Sequence, residues 1–251
     1  MKTTTTLILA FLFAVAVGAQ ERFYYTTPYE GMQGDVERVS VKAYLVDFVD
    51  NKPVVNKRFS RTEISKFDEN GLVYEKKLSV YAAFISMESK TTYEYEGKEL
   101  QKRVLQRYAE GEKSILVLKC VERDDNGAVF ENQTSIGKAD TTYIRYDYDE
   151  QSMTSMSTKD MRTGSKFVTY YQDNREVKTE AYENGQLRSS QVKFYDPKDH
   201  NLAKMVVTQG DQTYTTEFKY TKFDDKGNWI EGEMTEDGLL RSVITRSIFY
   251  R

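Results

Sequence analysis

Short runs of alternating apolar and polar residues, separated by turn sequences, extend from Val36 to the end of the chain. Within residues 214–220, Tyr214, Phe218 and Tyr220 fall on one face, and threonine, glutamate and lysine residues fall on the other. This period of two is typical of a β-strand with one buried and one solvated face. Enrichment in Tyr, Phe, Val, Ile and Thr favours strands as well.

The turn sequences recur at a regular spacing. They begin at positions 68, 96, 124, 149, 173, 196 and 224, so neighbouring turns are 23 to 28 residues apart. Secondary turns, such as Asn184-Gly185 and Asp237-Gly238, lie between some of them. This period indicates a repeat whose unit is a β-hairpin, in which glycine supplies the positive φ that the turn requires.

The pattern predicts roughly 12–15 strands, and an open twisted sheet seldom exceeds about 10 strands without curling or splitting. We therefore expect an all-β fold: an antiparallel β-hairpin repeat meander with a strongly twisted or curled sheet, up to a half-barrel. A curled sheet covers its own apolar face. Residues 78–87 could form a short helix, but their β-branched and aromatic content favours a strand.

The N-terminus has the pattern of a cleavable secretory signal. Lys2 is followed by an apolar run from Leu7 to Val17, and small residues precede a predicted cleavage after Ala19. The run is about half the ~20 residues that a transmembrane helix needs. We expect residues 1–19 to be the signal peptide, residues 20–35 a tether and residues 36–251 the repeat domain, exported to the periplasm or secreted. No transmembrane segment is predicted in the mature chain.

Charge and composition limit the kinds of partner and of reactive site that we expect. The 36 basic and 39 acidic residues are well mixed. They form no basic stripe, so nucleic acid is not an expected partner. Cys120 is the only cysteine and lies in an apolar strand pattern, which favours a core side chain over a reactive thiol. His200 is the only histidine and lies in a turn-like segment, which favours a solvated residue over a catalytic or zinc-binding one.

The sequence gives little support for the remaining candidate sites. The acidic turns at Asp68, Asp124 and Asp224 offer too few oxygens for calcium and match ordinary turn chemistry. A glycosidase-type carboxylate pair stays open, but no two acids stand out. We therefore predict no enzyme and no catalytic, cofactor or metal site. Aromatic side chains could stack on a sugar, or they could pack across strands. The candidate stacking residues are Trp229, Tyr170 and Tyr171.

Three segments carry a family resemblance: KYTKFDDKGNWIE at residues 219–231, KFDENGLVYE at 66–75 and RDDNGAVFE at 123–131. They resemble YD-type (RHS-like) repeats and, more closely, small exported bacterial proteins of unassigned function built from similar hairpin units. The resemblance covers about residues 36–251 and implies an antiparallel hairpin array. It brings no known activity.

Two functions follow from these expectations. The first is an exported, non-enzymatic binding or scaffold module of the cell envelope, whose partner is another protein or an envelope glycan. The alternative is a carrier that holds a lipid or a lipoprotein acyl chain on the concave apolar face of the curled sheet. The first predicts a filled core, and the second predicts a cavity lined by inward aromatic residues.

Overall fold

The computed structural model describes residues 32–82, 85–109, 111–124, 127–132, 140–149, 152–160, 163–172 and 175–251. These residues form sixteen β-strands and contain no helix. The strands are β1 (Val36–Val49), β2 (Lys52–Phe67), β3 (Val73–Ala82), β4 (Ile85–Glu96), β5 (Glu99–Ala109), β6 (Glu112–Asp124), β7 (Gly127–Asn132), β8 (Asp140–Asp149), β9 (Ser152–Asp160), β10 (Lys166–Gln172), β11 (Arg175–Glu183), β12 (Gln186–Tyr195), β13 (Leu202–Gln209), β14 (Gln212–Phe223), β15 (Trp229–Glu236) and β16 (Leu239–Tyr250).

Each strand pairs antiparallel with the strands before and after it, and β1 pairs with β16. The predicted antiparallel meander is therefore confirmed, and the sheet closes completely into a barrel. Ser40 lies opposite Ser247 at the closure. Closure removes the two free edges that a half-barrel would expose.

The seven regularly spaced turns all lie at one end of the barrel. Each follows an even-numbered strand, from β2 to β14, and in a meander every second turn is at the same end. We call this the proximal end. It also holds the start of β1 and the end of β16. The turns after odd-numbered strands, including Asn184-Gly185 and Asp237-Gly238, define the opposite, distal end.

The proximal turns at Asp68 and Asp224 share one hydrogen-bonding scheme. In the turn that starts at Asp224, its carboxylate accepts from the N–H groups of Lys226 (3.0 Å) and Asn228 (2.9 Å), and Gly227 has a φ of 82°. The turn at Asp68 repeats this scheme, with its carboxylate accepting from two N–H groups at 2.9 and 2.8 Å. In the longer turn at 196, the exposed His200 takes the positive φ, at 61°.

Tyrosine hydroxyl groups join neighbouring strands at the proximal end. Tyr95, Tyr195 and Tyr220 lie near the ends of β4, β12 and β14, and each strand shifts register there. Each hydroxyl donates at 2.9 Å to a carbonyl at the start of the preceding strand. One contact therefore recurs in three hairpins, which gives these three tyrosines a structural role.

The core fills the proximal part of the barrel interior. Phe67, Leu100 and Phe130 are at most 1% exposed, although the wall is a single sheet. Side chains this deeply buried must point into the barrel, which defines the inner face. The core cluster is Met32, Val36, Val39, Phe67, Val73, Tyr93, Leu100, Leu118, Ala128, Phe130, Ile144, Met156 and Tyr171. Cys120 is half-buried against it, close to its predicted environment.

The inner face changes character towards the distal end. By strand register, Ser114, Gln209 and Gln212 belong to it, and all three are exposed. Further in, Arg61 approaches the Glu63 carboxylate at 2.8 Å. The interior is thus sealed by apolar side chains at the proximal end and reached by solvent at the distal end.

The outer face carries charged residues at mid-height. Lys77 lies opposite Lys90 in the middle of β3 and β4, and Lys219 lies opposite Glu233. Ion pairs connect neighbouring strands on this face. They include Lys90–Glu75 (2.7 Å), Lys66–Glu75 (2.9 Å), Lys102–Glu94 (2.8 Å) and Lys222–Glu231 (2.8 Å).

Some sequence expectations differ from the structure in detail. Residues 78–82 and 85–87 are strand as predicted, but they belong to the end of β3 and the start of β4. Of the predicted tether, Met32 is 3% exposed and belongs to the core. The signal peptide, its cleavage after Ala19 and the rest of the tether lie outside the described residues.

Candidate binding surfaces at the two ends of the barrel

Trp229 begins β15 at the proximal end, and its ring has neighbours that compete with a ligand. The Tyr220 ring lies 5.0 Å away between centroids, tilted by 31°. The Arg246 guanidinium lies 4.0 Å from the centroid of the Trp229 ring, and its Nε donates to the Trp229 carbonyl at 2.8 Å. Burial raises the pKa of the Tyr220 hydroxyl. Packing across strands therefore occupies the ring surface that a sugar would need.

Tyr170 and Tyr171 point to opposite faces of the sheet, as adjacent strand residues must. The Tyr171 side chain is 7% exposed and belongs to the core. The Tyr170 hydroxyl donates at 3.0 Å to Glu180, which also receives a hydrogen bond from Tyr182 and an ion pair from Lys178. Burial, and then the hydrogen bond to Glu180, raises the pKa of Tyr170.

The three candidate stacking residues do not form one platform. Tyr170 and Tyr171 lie on β10, and Trp229 lies on β15, five strands further round the barrel. Each side chain is engaged with its own neighbours. A glycan platform made of these residues therefore receives no support from their arrangement.

A hydrogen-bond network at the proximal end stabilises the turn between β14 and β15. The Tyr250 hydroxyl donates to Asp224 at 2.5 Å, and the Asn228 amide donates to Tyr250 and to the Gln33 carbonyl. Burial would raise the pKa of Asp224, but the Tyr250 hydroxyl and nearby backbone N–H groups lower it. This network ties the turn between β14 and β15 to the segment before β1 and to the end of β16.

The distal end presents a different surface, formed by exposed apolar side chains beside its turns. Phe48 and Val49 precede the turn between β1 and β2, and Val54 and Val55 follow it. Each member of this set is 41 to 56% exposed. We call the set the distal rim: Phe48, Val49, Val54, Val55, Tyr81, Tyr108, Ile115, Leu187 and Leu239.

Charged and polar residues surround the distal rim. Arg241 pairs with Glu236 at 3.3 Å, and Arg188 pairs with Glu183 at 3.0 Å. Burial raises the pKa of Glu236, partly opposed by Arg241. Clusters of exposed apolar side chains beside polar residues are common at protein-binding surfaces, and the β1–β2 hairpin carries such a cluster. Sequence reasoning missed this rim. The available signal was the apolar residues that immediately flank the secondary turns, where polar residues are expected.

The described residues contain no group of three or more His, Cys, Asp or Glu side chains placed to hold a metal ion. Across the same part of the chain, no helix is long and apolar enough to cross a membrane.

No known protein-family model matches the sequence, and no curated protein matches it. Among solved structures, the chain is similar to a porin-like protein from Bacteroides uniformis ATCC 8492. The TM-score is 0.51 at 13% sequence identity, and the match covers 85% of this chain and 98% of that chain. At this level of identity the likeness concerns the fold, and it agrees with the closed antiparallel barrel described above.

Proposed function

We propose that the protein is an exported, non-enzymatic binding module of the cell envelope, which contacts a protein partner through the distal rim. The observation that carries this proposal is the distal rim, which holds nine of the fifteen large apolar side chains that are exposed among the described residues, on a barrel whose wall carries charged residues at mid-height. Four of the nine rim residues lie on one hairpin, at Phe48, Val49, Val54 and Val55. A protein partner suits valine and phenylalanine better than a glycan does, because sugars stack on exposed flat aromatic faces.

The wall favours an aqueous location, in the periplasm or outside the cell. A barrel that spans a bilayer carries an apolar outer band about 25 Å tall. Here the middle of the outer face carries Lys77, Lys90, Lys219 and Glu233. Each would be costly in hydrocarbon, so this wall does not suit a barrel that spans a bilayer.

The carrier function has less support. Its acyl chain would have to lie along the inner face, where Arg61, Glu63 and Lys76 form a charged group. Lys76 and Arg61 lower the pKa of Glu63 against the effect of burial, which keeps the carboxylate ionised. The proximal part of the interior is already filled by the core. An acyl chain inside the barrel would therefore meet the charged group of Arg61, Glu63 and Lys76, and the packed core would exclude it from the proximal part.

Two measurements test the binding module. After expression with its own N-terminus, the protein should be recovered from the periplasm or medium without detergent. Recovery only in detergent extracts of washed membranes would contradict an aqueous barrel.

The second measurement is photo-crosslinking in the producing cell. A benzoylphenylalanine in place of Phe48 should give a discrete adduct, and one in place of Phe249 should not. Phe249 is a matched control because it is 43% exposed, against 47% for Phe48, and lies at the proximal end. Equal adducts from both positions, or none from position 48, would remove the distal rim as the binding surface.

A further inference from the structure

The lumen, the space enclosed by the barrel wall, has an excess of positive charge along β2 to β5. Over residues 60–67 of β2 and the described parts of β3 to β5, the register places four cations and one carboxylate on the inner face: Arg61, Lys76, Arg103, Arg107 and Glu63. The Glu63 carboxylate pairs with Arg61 at 2.8 Å and approaches the Lys76 ammonium at 3.9 Å. The one acid of this wall is therefore shared by two cations of β2 and β3.

Arg107 has no such partner. It lies two residues from the distal end of β5, where solvent reaches the lumen. Its Nε is buried without a hydrogen-bond partner, and no carboxylate of the described residues pairs with its guanidinium, although the exposed Glu112 begins the next strand. The register neighbours of Arg107 are small, with Ser89 opposite it on β4 and Ser114 on β6. A guanidinium in this setting is a strong donor for anionic oxygens.

The opposite wall also presents polar atoms without partners. β12 lies eight strands from β4 in either direction round the barrel. Its Gln191 is 2% exposed and shares the inner face with Thr179 and Val207, its register neighbours. Neither the amide oxygen nor the amide nitrogen of Gln191 has a partner within the protein. Buried amides are nearly always hydrogen-bonded, so Gln191 is suited to a hydrogen-bonding group from outside the chain.

Uncharged hydrogen-bonding groups continue from Gln191 towards the distal mouth. Ser189, Gln209 and Gln212 form one register row, two residues closer to the mouth than Gln191 on the inner face. In the row of Gln191 itself, Tyr214 is half-buried with its ring on the inner face. Hydroxyl and amide groups both donate and accept, as sugar hydroxyls do, and an aromatic ring suits the C–H face of a sugar.

We propose that the distal part of the lumen binds an acidic sugar, which carries a carboxylate or a phosphate. Arg107 donates to the anionic group, with the hydroxyls of Ser89 and Ser114 beside it. The amide of Gln191 bonds the sugar hydroxyls from the opposite wall. This site lies inside the mouth and goes beyond the contact with a protein that we propose for the distal rim.

Other occupants satisfy fewer of these groups. A neutral sugar would leave Arg107 without an anion, and a bare inorganic anion would leave Gln191 without a partner. An acidic side chain of a protein on the distal rim would reach Arg107, but Gln191 lies five residues from the distal end of β12. A ligand with one anionic group and several hydroxyls suits both walls.

Isothermal titration calorimetry on the purified protein tests the ligand class. The probes are galacturonate and glucose 6-phosphate, with neutral galactose and glucose as their matched controls. At least one acidic sugar should bind ten-fold or more tightly than its neutral counterpart, and the one that does so distinguishes carboxylate from phosphate. Binding of neither acidic sugar, or equal binding of the acidic and neutral forms, would overturn the proposal.

Two arginine variants test the anion contact. Arg107→Gln should weaken binding of the acidic sugar at least ten-fold, because it removes the cation from the lumen wall. Arg188→Gln is the matched control, since Arg188 is exposed at the same end of the barrel and pairs with Glu183. This control should change binding less than two-fold. Equal losses in both variants would show a general effect of charge and would contradict a site at Arg107.

Gln191→Leu tests the opposite wall. It should weaken binding at least five-fold without lowering the Tm of the unliganded protein, because leucine leaves no buried polar atom without a partner. Wild-type affinity in this variant would contradict a site that spans both walls.

The crosslink at position 48 separates this inference from the proposed function. If no acidic sugar binds but Arg107→Gln abolishes that crosslink, Arg107 serves the protein partner, and the rim function stands while the sugar site fails. Binding of an acidic sugar by a protein that gives no crosslink at position 48 would support the lumen site and remove the rim function.

Discussion

At the residue scale, single carboxylates organise several cations on the outer wall. Glu75 is 8% exposed and receives ammonium groups from Lys90 at 2.7 Å and Lys66 at 2.9 Å. Burial would raise its pKa, but the hydrogen bonds from Lys90 and Lys66 lower it to about 2. With its carboxylate ionised, Glu75 reduces the repulsion among the lysines of β2 to β4.

The depressed pKa makes a prediction for acid stability. Between pH 4.5 and about 2 the unfolded carboxyl binds a proton while folded Glu75 stays ionised, so its stabilisation is present above pH 4.5 and lost as the pH falls towards 2. Glu75→Gln should cost about 1 kcal/mol at pH 7 and should show a shallower fall of Tm below pH 4.5. Glu69→Gln, in the exposed neighbouring turn, is the control. An unchanged acid profile for Glu75→Gln would contradict this role.

At the element scale, the hairpin is the unit that the repeat encodes. In the turns that start at Asp68 and Asp224, the aspartate holds two N–H groups and a glycine takes the positive φ. Before the Asp224 turn, the Tyr220 hydroxyl also fastens β14 to the Leu202 carbonyl of β13. The resemblance to YD-type repeats remains a prediction, but it concerns these same residues.

The turn can be tested with adjacent aspartates. Asp224→Ala removes the acceptor of two N–H groups and of the Tyr250 hydroxyl, so it should lower the free energy of unfolding by about 2–3 kcal/mol. Asp225→Ala, at the exposed next position, should change it by less than about 0.5 kcal/mol. Urea unfolding of both variants measures the difference. Equal effects would show that the carboxylate of Asp224 is not the element that holds the turn.

At the scale of the whole molecule, closure between β1 and β16 sets the shape. Arg251 strengthens it: its guanidinium pairs with Asp35 and donates to the carbonyls of Phe67 and Asp68 at 2.6 Å. Arg251, which follows β16, therefore joins the end of β16 to the start of β1 and to the end of β2.

A cysteine pair tests closure directly. In a Cys120→Ser background, Ser40→Cys with Ser247→Cys should form a disulfide on mild oxidation, because these residues face each other across the seam. Ser40→Cys with Ser155→Cys should not, because β9 lies eight strands from β1 in either direction. Mobility on non-reducing gels distinguishes the products. A sheet that stayed open as a half-barrel would leave positions 40 and 247 apart.

The sequence by itself determined the strands, the turns and the repeat. These are local properties: alternation at residues 214–220 reports one buried face, and the Asp-x-x-Gly sequence at 224–227 specifies the backbone of its own turn. The common face of Tyr214, Phe218 and Tyr220 is confirmed as the inner face of β14. The placement of all seven repeat turns at one end follows from the meander alone.

Only the tertiary structure decided closure, the neighbours of the candidate residues and the position of the distal rim. Closure joins β1 to β16 across about 200 residues, and no local pattern specifies that pairing. The sequence left open whether Trp229 stacks on a sugar or packs across strands, and only the fold places Arg246, from the next strand, beside its ring. Alternation around Phe48 and Val54 reports the face of a strand, whereas their exposure depends on which neighbouring strands reach that height.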